Sequence, residues 1–365
     1  MKGRGKLKKY NKYRFTIIIP TFNRPEYLKR LLDYYSKYNF DNNFKIIVAD
    51  SSSKKNKLKN KETINYFSNL KLSYLSHFPE NTHPYDKQLF ILDRVNTEYC
   101  VVCPDDDFIF IRAINHAVDF FEKNEDYTCV HGRYVRFYLK GGNKRRFYWH
   151  FTYSSKSITD SNPEKRIKSY LFNPSNVLFA TYRTKFLKMI MKESEKYVPW
   201  DSFFGELLQS ILPFTYGKMK TLDILYSPKD ALSTPKNTNI DHFSFLSDYK
   251  KSGIFNKKYD SFIECLSKHL SNCSGKSIKE SKKLLNSTLV RYFETNINNP
   301  SLNLASSFHK IRIFLESIKI PKFLYNIVRW PYQKLFILKW VKLLKKIPPS
   351  YYYDDLRDLK CYLTS

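Results

Sequence analysis

A short apolar run followed at once by a helix signal constrains the fold of this chain more than any other feature. Phe15–Ile19 is an uninterrupted, largely β-branched run, as expected of a strand buried on both faces of a sheet. Apolar residues then recur at helical spacing from Leu28 to Tyr35. They follow Asn23 and Pro25, which suit the N-cap and first turn of a helix. Because strands that alternate with helices are typical of a sheet with crossover connections, the sequence predicts an α/β fold.

The same alternation continues to about residue 238. Further strands are predicted at 44–49, 72–76, 99–103, 133–139 and 146–153, and further helices at 87–95 and 111–123. Beyond this point helical periodicity replaces the strand signals. We therefore expect a mostly parallel, mixed sheet flanked by helices. The predicted segments are a basic N-terminal arm over residues 1–14, an α/β domain over 15–238 and a helical, basic C-terminal region over 239–365.

The charge of the chain points to an anionic partner. Lysine and arginine number 63 against 34 aspartates and glutamates, a formal net charge of +29. Such a field attracts polyanions, although lysine scattered beside asparagine can also reflect composition alone. No apolar run approaches the roughly 18 residues of a spanning helix. Cys100 and Cys103 lie within a predicted strand, where reduced, buried thiols are expected. We expect a cytoplasmic protein, or one peripheral on the inner face of the membrane.

Three adjacent carboxylates follow a predicted buried strand. Asp105, Asp106 and Asp107 lie where the strand at 99–103 ends, and ligands of open α/β sheets bind beyond the carboxyl ends of the strands. Adjacent carboxylates repel one another unless a cation neutralises them, and oxygen ligands suit Mg²⁺ or Mn²⁺. The alternative is a solvated acidic turn. Asp50 ends another strand in the same way and could accept from a nucleobase or ribose, or simply cap the serine-rich turn after it.

Three motifs occur in order, each at the end of a predicted strand: Ile18-Ile19-Pro20-Thr21-Phe22-Asn23-Arg24, Val48-Ala49-Asp50-Ser51 and Pro104-Asp105-Asp106-Asp107-Phe108. Over roughly residues 15–225 they resemble the motifs of family 2 glycosyltransferases with the GT-A fold. The resemblance implies a GT-A-like (Rossmann-like) domain. It also implies metal-dependent, inverting transfer of a sugar from a nucleoside diphosphate sugar to an acceptor hydroxyl, and we expect the donor nucleotide to be UDP. We expect such transfer to serve cell-surface glycan or polysaccharide synthesis.

The resemblance also implies roles for individual residues. Those expected to contact the nucleotide-sugar are Pro20, Thr21, Asn23, Arg24, Asp50, Lys87, Asp105 and Asp106. Within this set Asp50 reads the base and Asp105 the ribose. Asp107 holds the metal, with Asp105 as a second carboxylate and Asp106 able to substitute for either. Lys87, which like Asn81 precedes the acidic motif, approaches the diphosphate, unless it is merely a solvated helix lysine.

A general base is expected in Val198-Pro199-Trp200-Asp201, just before a helix. The family commonly has a Glu-Asp pair there, so Asp201 is the single candidate, with helix capping as its alternative role. Gly217-Lys218 resembles the continuation after that helix. His242 lies where some relatives place a further metal ligand, although most lone histidines are not ligands.

The C-terminal region contains a basic amphipathic stretch. Residues 335–347 place lysines on one side of a helix and apolar residues with Trp340 on the other. This pattern indicates either an anionic membrane surface as a partner, beside a glycan or lipid-linked acceptor, or a helix docked on the catalytic domain. The alternative functions are a basic nucleic-acid-binding protein and a nucleotidyltransferase of the same fold. No nucleic-acid partner is expected, because no recognition motif for one appears.

Overall fold

The computed structural model describes residues 12–38, 43–140, 146–153, 156–174, 177–199, 201, 203–230, 254–297 and 351–364. The strands are β1 (Phe15–Thr21), β2 (Phe44–Asp50), β3 (Leu72–Leu75), β4 (Tyr99–Val102), β5 (Tyr127–Lys140), β6 (Arg146–Tyr153), β7 (Thr181–Arg183) and β8 (Lys218–Asp230). The helices are α1 (Pro25–Lys37), α2 (Lys54–Tyr66), α3 (Pro84–Leu92), α4 (Ile111–Lys123), α5 (Pro163–Phe172), α6 (Thr184–Tyr197), α7 (Phe204–Tyr216), α8 (Ile254–Ser274), α9 (Ile278–Ile297) and α10 (Tyr351–Thr364).

The strands form one mixed, eight-stranded sheet in the order β3-β2-β1-β4-β7-β5-β6, with β8 pairing to β5. β1 to β4 run parallel to one another, as crossover helices between them require. β7 is antiparallel to both β4 and β5, and β5 and β6 also pair in antiparallel orientation. The structure confirms the predicted mixed, mostly parallel sheet flanked by helices.

Two hydrophobic clusters cover the two faces of the sheet. In β1, Ile17 and Ile19 point into one cluster and Ile18 into the other, the alternation that a strand dictates. All three are fully buried, as the continuous apolar run predicted. The sheet is therefore held from both sides, and its strand ends are fixed in position.

The described C-terminal helices pack on the α/β domain at separate places. Phe262 of α8 packs near Phe204 of α7 with ring centroids 5.2 Å apart. Leu359 of α10 is buried in the other cluster, and Tyr362 donates a hydrogen bond of 2.7 Å to the Arg30 carbonyl of α1. The division into three segments stays a prediction. Across the described ranges, no helix combines the length and apolarity that crossing a bilayer requires.

Candidate active site

The parallel register brings the polar ends of three strands together. Thr21, at the end of β1, lies opposite Asp50, at the end of β2. On the other side of β1, Ile18 pairs with Val102 of β4, and the acidic triplet begins shortly after that residue. The predicted edge of the sheet therefore exists, and it gathers the motifs that the sequence analysis singled out.

Asp105 is the most buried member of the triplet. It is 0% exposed, and its Oδ2 accepts a hydrogen bond of 2.7 Å from the Thr21 hydroxyl. Its Oδ1 lies 2.7 Å from the Arg24 guanidinium, but it receives no well-aligned hydrogen bond. Burial raises the pKa of Asp105 to about 7, against the opposing effect of Arg24. This carboxylate is thus held at the strand end at the cost of its own desolvation.

The other two carboxylates are paired with cations of the chain itself. Arg24 lies 2.8 Å from Asp106, and Lys229 lies 3.0 Å from the Oδ2 of Asp107. The Oδ1 of Asp107 accepts from the backbone N–H of Asp230 at 3.2 Å. Burial also raises the pKa of Asp107. A solvated acidic turn is therefore wrong, because Asp105 and Asp107 are buried and compensated at short range.

Lys87 is buried, which corrects the expectation of a solvated helix lysine. The side chain is on α3 and is 1% exposed. Its ammonium donates to the Thr21 carbonyl and to the Ser51 hydroxyl, both at 2.8 Å. Burial lowers the pKa of Lys87 to about 8, while the nearby carboxylates of Asp50 and Asp105 act in the opposite direction. Lys87 thus ties the loops after β1 and β2 together between two buried carboxylates.

Asp50 has its carboxylate oxygens occupied by donors of the chain. Oδ1 accepts from the Ser52 backbone N–H at 2.7 Å, as the turn-capping alternative predicted. Oδ2 accepts from the Asn60 amide at 2.8 Å and from the Tyr74 hydroxyl at 2.6 Å. The side chain is fully buried. A base could be read by Asp50 only after some of these donors are exchanged, so this role stays a prediction.

Asn23 links two loops instead of capping α1. Its φ is +55°, and its Oδ1 accepts from the Ser53 backbone N–H at 2.9 Å and from the Asn56 amide at 3.0 Å. The N-cap position of α1 belongs to Arg24, which makes no side-chain capping bond there. The capping expectation is therefore wrong, because the left-handed backbone turns the Asn23 side chain towards the loop after β2. Pro25 does occupy the first turn.

Asp201 caps the helix that follows it. Its Oδ1 accepts from the backbone N–H groups of Phe203 at 3.0 Å and Phe204 at 2.6 Å. Its Oδ2 lies 3.2 Å from the ammonium of Lys258 on α8. The capping role is confirmed, and it leaves Oδ2 as the oxygen that could take a proton. Trp200 and His242 lie outside the described residues.

A cavity of about 330 Å³ opens beside the acidic loop. Thr21, Arg24 and Lys87 line it, together with the apolar side chains of Phe179 and Met191. Polar side chains of α3 and α7, and of the residue before α3, complete this lining: His83, Tyr85, Gln88, Glu206 and Gln209. The cavity has the mixed lining that is typical of small-molecule sites.

Glu206 is a site residue that the sequence analysis missed. It is hydrogen-bonded to the Tyr85 side chain at the cavity wall, whereas Asp201 is absent from the described residues that line the cavity. Its only sequence signal was its position in the first turn of a helix, where the helix dipole stabilises a carboxylate whether or not the residue has a function.

Two carboxylates of the triplet offer oxygen atoms of the kind that a hard divalent cation binds. Asp105 offers a buried carboxylate oxygen that lacks a hydrogen bond, and Asp107 offers the oxygen that is paired with Lys229. Carboxylates of this kind suit Mg²⁺ and Mn²⁺. The set fits on one condition, which is that Lys229 releases Asp107.

A second cluster of ligand-type side chains is explained without a metal. Glu193, Cys265 and His269 lie together in the described part of the helical layer. The two ring nitrogens of His269 are bonded to Glu193 at 2.8 Å and to the Tyr216 hydroxyl. A neutral imidazole satisfies both partners, so this cluster joins α6, α7 and α8 as a buried polar network.

Residues 16–184 match Glycosyl transferase family 2. Among solved structures, S. aureus TarS 1-349 is similar at 17% identity, over 78% of this chain and 73% of that one, with a TM-score of 0.47. The complex of TarS 1-349 with UDP-GlcNAc is similar at 17% identity, over 78% of this chain and 74% of that one, with a TM-score of 0.48. The complex with UDP is similar at 18% identity, over 78% of this chain and 73% of that one, with a TM-score of 0.46. No curated protein matches the chain.

The family match contains β2, β4, the acidic triplet and nearly all of β1, and it ends before Asp201 and Lys229. All three motifs on which the resemblance was based therefore fall within it. Residues 16–184 are a family 2 glycosyltransferase domain, and the chain is a glycosyltransferase.

Proposed function

We propose that this glycosyltransferase transfers a sugar, with inversion, from a nucleoside diphosphate sugar to an acceptor hydroxyl. We expect the nucleotide of the donor to be UDP. The observation that carries the proposal is the buried carboxylate of Asp105, fixed by Thr21 and Arg24 where β1 and β4 end. This is the position at which open α/β sheets bind nucleotides. A carboxylate there accepts from the hydroxyls of a ribose.

The cations of the site are arranged for a diphosphate. Arg24 is 36% exposed and faces the cavity, so its guanidinium can pair with phosphate oxygens. Lys87 is buried behind it and fixes the Thr21 carbonyl, which keeps the loop after β1 in place. Asp107 and Asp105 would hold Mn²⁺ or Mg²⁺, which supplies positive charge to a departing diphosphate when it is bound.

The acceptor side requires a base. As the acceptor oxygen attacks the anomeric carbon, its proton passes to a carboxylate and the bond from that carbon to the diphosphate breaks. Asp201 is the proposed base, through Oδ2, and the acceptor must then displace Lys258 from that oxygen. Glu206 is the rival, since it lines the cavity directly.

Binding of UDP, GDP and dTDP to the full chain, measured by calorimetry with Mn²⁺, tests the donor site. We expect one nucleoside diphosphate to bind, and Asp105→Ala to abolish its binding. Asp126→Asn is the matched control, because this carboxylate is exposed and pairs with Lys218 at the far end of β8. If the wild type binds none of the three, or if Asp105→Ala binds as tightly as the wild type, the proposal is wrong.

Asp201→Asn and Glu206→Gln decide between the two bases. Loss of a general base lowers kcat by about 10²–10⁴-fold and leaves KM for the donor nearly unchanged. We expect Asp201→Asn to show this loss and to remove the acidic limb of the pH–rate profile. A normal kcat for Asp201→Asn with a large loss for Glu206→Gln would transfer the role to Glu206.

We further propose an acceptor that is a cell-surface glycan or a lipid-linked glycan, met at an anionic membrane surface. The net charge of +29 and the acid-free segment over 318–353 support this proposal. The enzyme should float with vesicles that contain phosphatidylglycerol and not with neutral ones, and salt should weaken the binding. Equal flotation after deletion of residues 335–347 would refute the role of that segment.

A further inference from the structure

The ammonium of Lys229 occupies a position that nothing in the sequence marks as special. Lys229 is one residue before the end of β8, and it pairs in register with Arg136 of β5. Its Nζ lies 3.0 Å from the Oδ2 of Asp107 and 3.8 Å from the ring centroid of Phe179. The side chain is 16% exposed. Lys229 is thus placed by the sheet itself, against an aromatic face and a single carboxylate oxygen.

The surrounding charges are almost balanced. The network contains the four carboxylates of Asp105, Asp106, Asp107 and Asp230, and the three cations of Arg24, Arg30 and Lys229. Arg30 lies 2.8 Å from Asp230 and also donates to the Asp106 carbonyl at 2.8 Å. Arg24 and Arg30 each have two partners in this network, whereas the carboxylate contact of Lys229 is with Asp107.

A divalent cation bound to this oxygen of Asp107 would compete with Lys229 for the same negative charge. Mg²⁺ binds carboxylate oxygens at about 2.0–2.1 Å, and Mn²⁺ suits the same oxygen ligands. An ammonium 3.0 Å from the same atom would then face a doubly charged ion across a few ångströms of buried space. Lysine has a flexible four-carbon stem, so its head can move while the backbone of β8 stays fixed.

We propose that Lys229 is the exchangeable counter-ion of Asp107. It neutralises this carboxylate in the donor-free enzyme and leaves it when a divalent cation and the donor arrive, so that lysine and metal compete for one oxygen. The inference rests on the proposed function for its metal, and Lys229 is a positioning residue that acts through Asp107.

Competition predicts that removal of the lysine strengthens metal binding. Mn²⁺ binding to the full, donor-free chain is measured by the electron paramagnetic resonance signal of free Mn²⁺. Lys229→Met should bind Mn²⁺ about tenfold more tightly than the wild type, because no ammonium has to leave. Lys220→Met is the matched control, since this lysine is on the same strand over the ring of Phe120 and should leave the affinity unchanged.

Thermal denaturation separates this role from a purely structural one. In EDTA, Lys229→Met leaves the buried Asp107 without its counter-ion, and we expect a lower Tm than for the wild type. Saturating Mn²⁺ should restore the Tm of Lys229→Met and shift that of the wild type much less. Lys229→Gln keeps a donor for Asp107 without the charge, and it provides the same comparison if Lys229→Met does not fold.

Unchanged or weaker Mn²⁺ binding by both Lys229→Met and Lys229→Gln would overturn the inference. So would a Tm deficit in EDTA that Mn²⁺ does not repair. These outcomes differ from failure of the proposed function, which is the absence of nucleoside diphosphate binding by the wild type. Tighter Mn²⁺ binding by the variants without any nucleotide binding would support Lys229 as the counter-ion and reject the donor.

Discussion

Replacement of Asp105 by asparagine should stabilise the donor-free enzyme while it destroys the donor site. Burial raises the pKa of Asp105 from 3.8 to about 7. Between these two pH values the folded state binds more protons than the unfolded state, so the free energy of unfolding falls as the pH rises. An asparagine side chain cannot ionise, so the variant Asp105→Asn lacks this fall.

The structure gives the size of the effect. A pKa difference of about three units, at 1.36 kcal/mol per unit, corresponds to about 4 kcal/mol as an upper limit. At pH 4.5 the free energies of unfolding of Asp105→Asn and the wild type should differ by about 1 kcal/mol or less. At pH 8 the variant should be more stable by about 1–4 kcal/mol, or roughly 1–5 °C in Tm.

Urea denaturation at pH 4.5, 6 and 8, followed by circular dichroism, measures the difference directly. Asp106→Asn is the neighbouring control, since its partly exposed pair with Arg24 should be worth about 1 kcal/mol or less. The reasoning fails if Asp105→Asn is less stable than the wild type at pH 8, or if the difference between them does not grow with pH. Loss of nucleotide binding in the stabilised variant would show a carboxylate retained for function.

Three further predictions concern residues around this carboxylate and the sheet. The pKa of Lys87 is lowered to about 8, so between pH 8 and about 10.5 the unfolded state binds more protons than the folded state. The free energy of unfolding of the wild type should therefore rise by up to about 3 kcal/mol over this range, and that of Lys87→Met should not, in the same denaturation assay. Thr21→Val removes a donor to a buried charge and should cost about 1.5–3 kcal/mol at pH 8, where Thr21→Ser, which keeps the hydroxyl, should cost less. Gly217→Ala would place a Cβ 2.7 Å from the Asp126 carbonyl oxygen, so calorimetry should show a free energy of unfolding lower by about 1–3 kcal/mol. An unchanged Tm would contradict the close packing at Gly217.

The scaffold and the acidic loop could be predicted because local patterns determine them. The β-branched run of β1 requires burial on both faces, and the triplet after β4 can reach only the carboxyl edge of a parallel sheet. The pairing of Thr21 with Asp105 then follows from the strand order. The family resemblance identified the same residues through their motifs.

Arg24 and Lys87 were predicted from the family motifs, but the other cations of the site could not be, because their positions depend on long-range packing. Lys229 and Arg30 are two of 63 basic residues, and neither stands in a motif. Lys87 has the sequence context of a solvated helix lysine, yet α3 packs its stem beneath two loops. The left-handed turn at Asn23 was also missed, since Asn followed by Arg-Pro reads equally well as a helix N-terminus.

The docking of α10 has a consequence for how the C-terminal region can be handled. The described residues end at Ile297 and resume at Tyr351, the first residue of α10, and Tyr362 of α10 donates a hydrogen bond to the Arg30 carbonyl. Residues 298–350 are therefore joined at both ends to helices that pack on the rest of the protein, and so is any partner that these residues bind. A purification tag after α10 leaves the contact between α10 and α1 intact. A truncation that stops before Tyr351 removes α10 and exposes α1, the helix that carries Arg30.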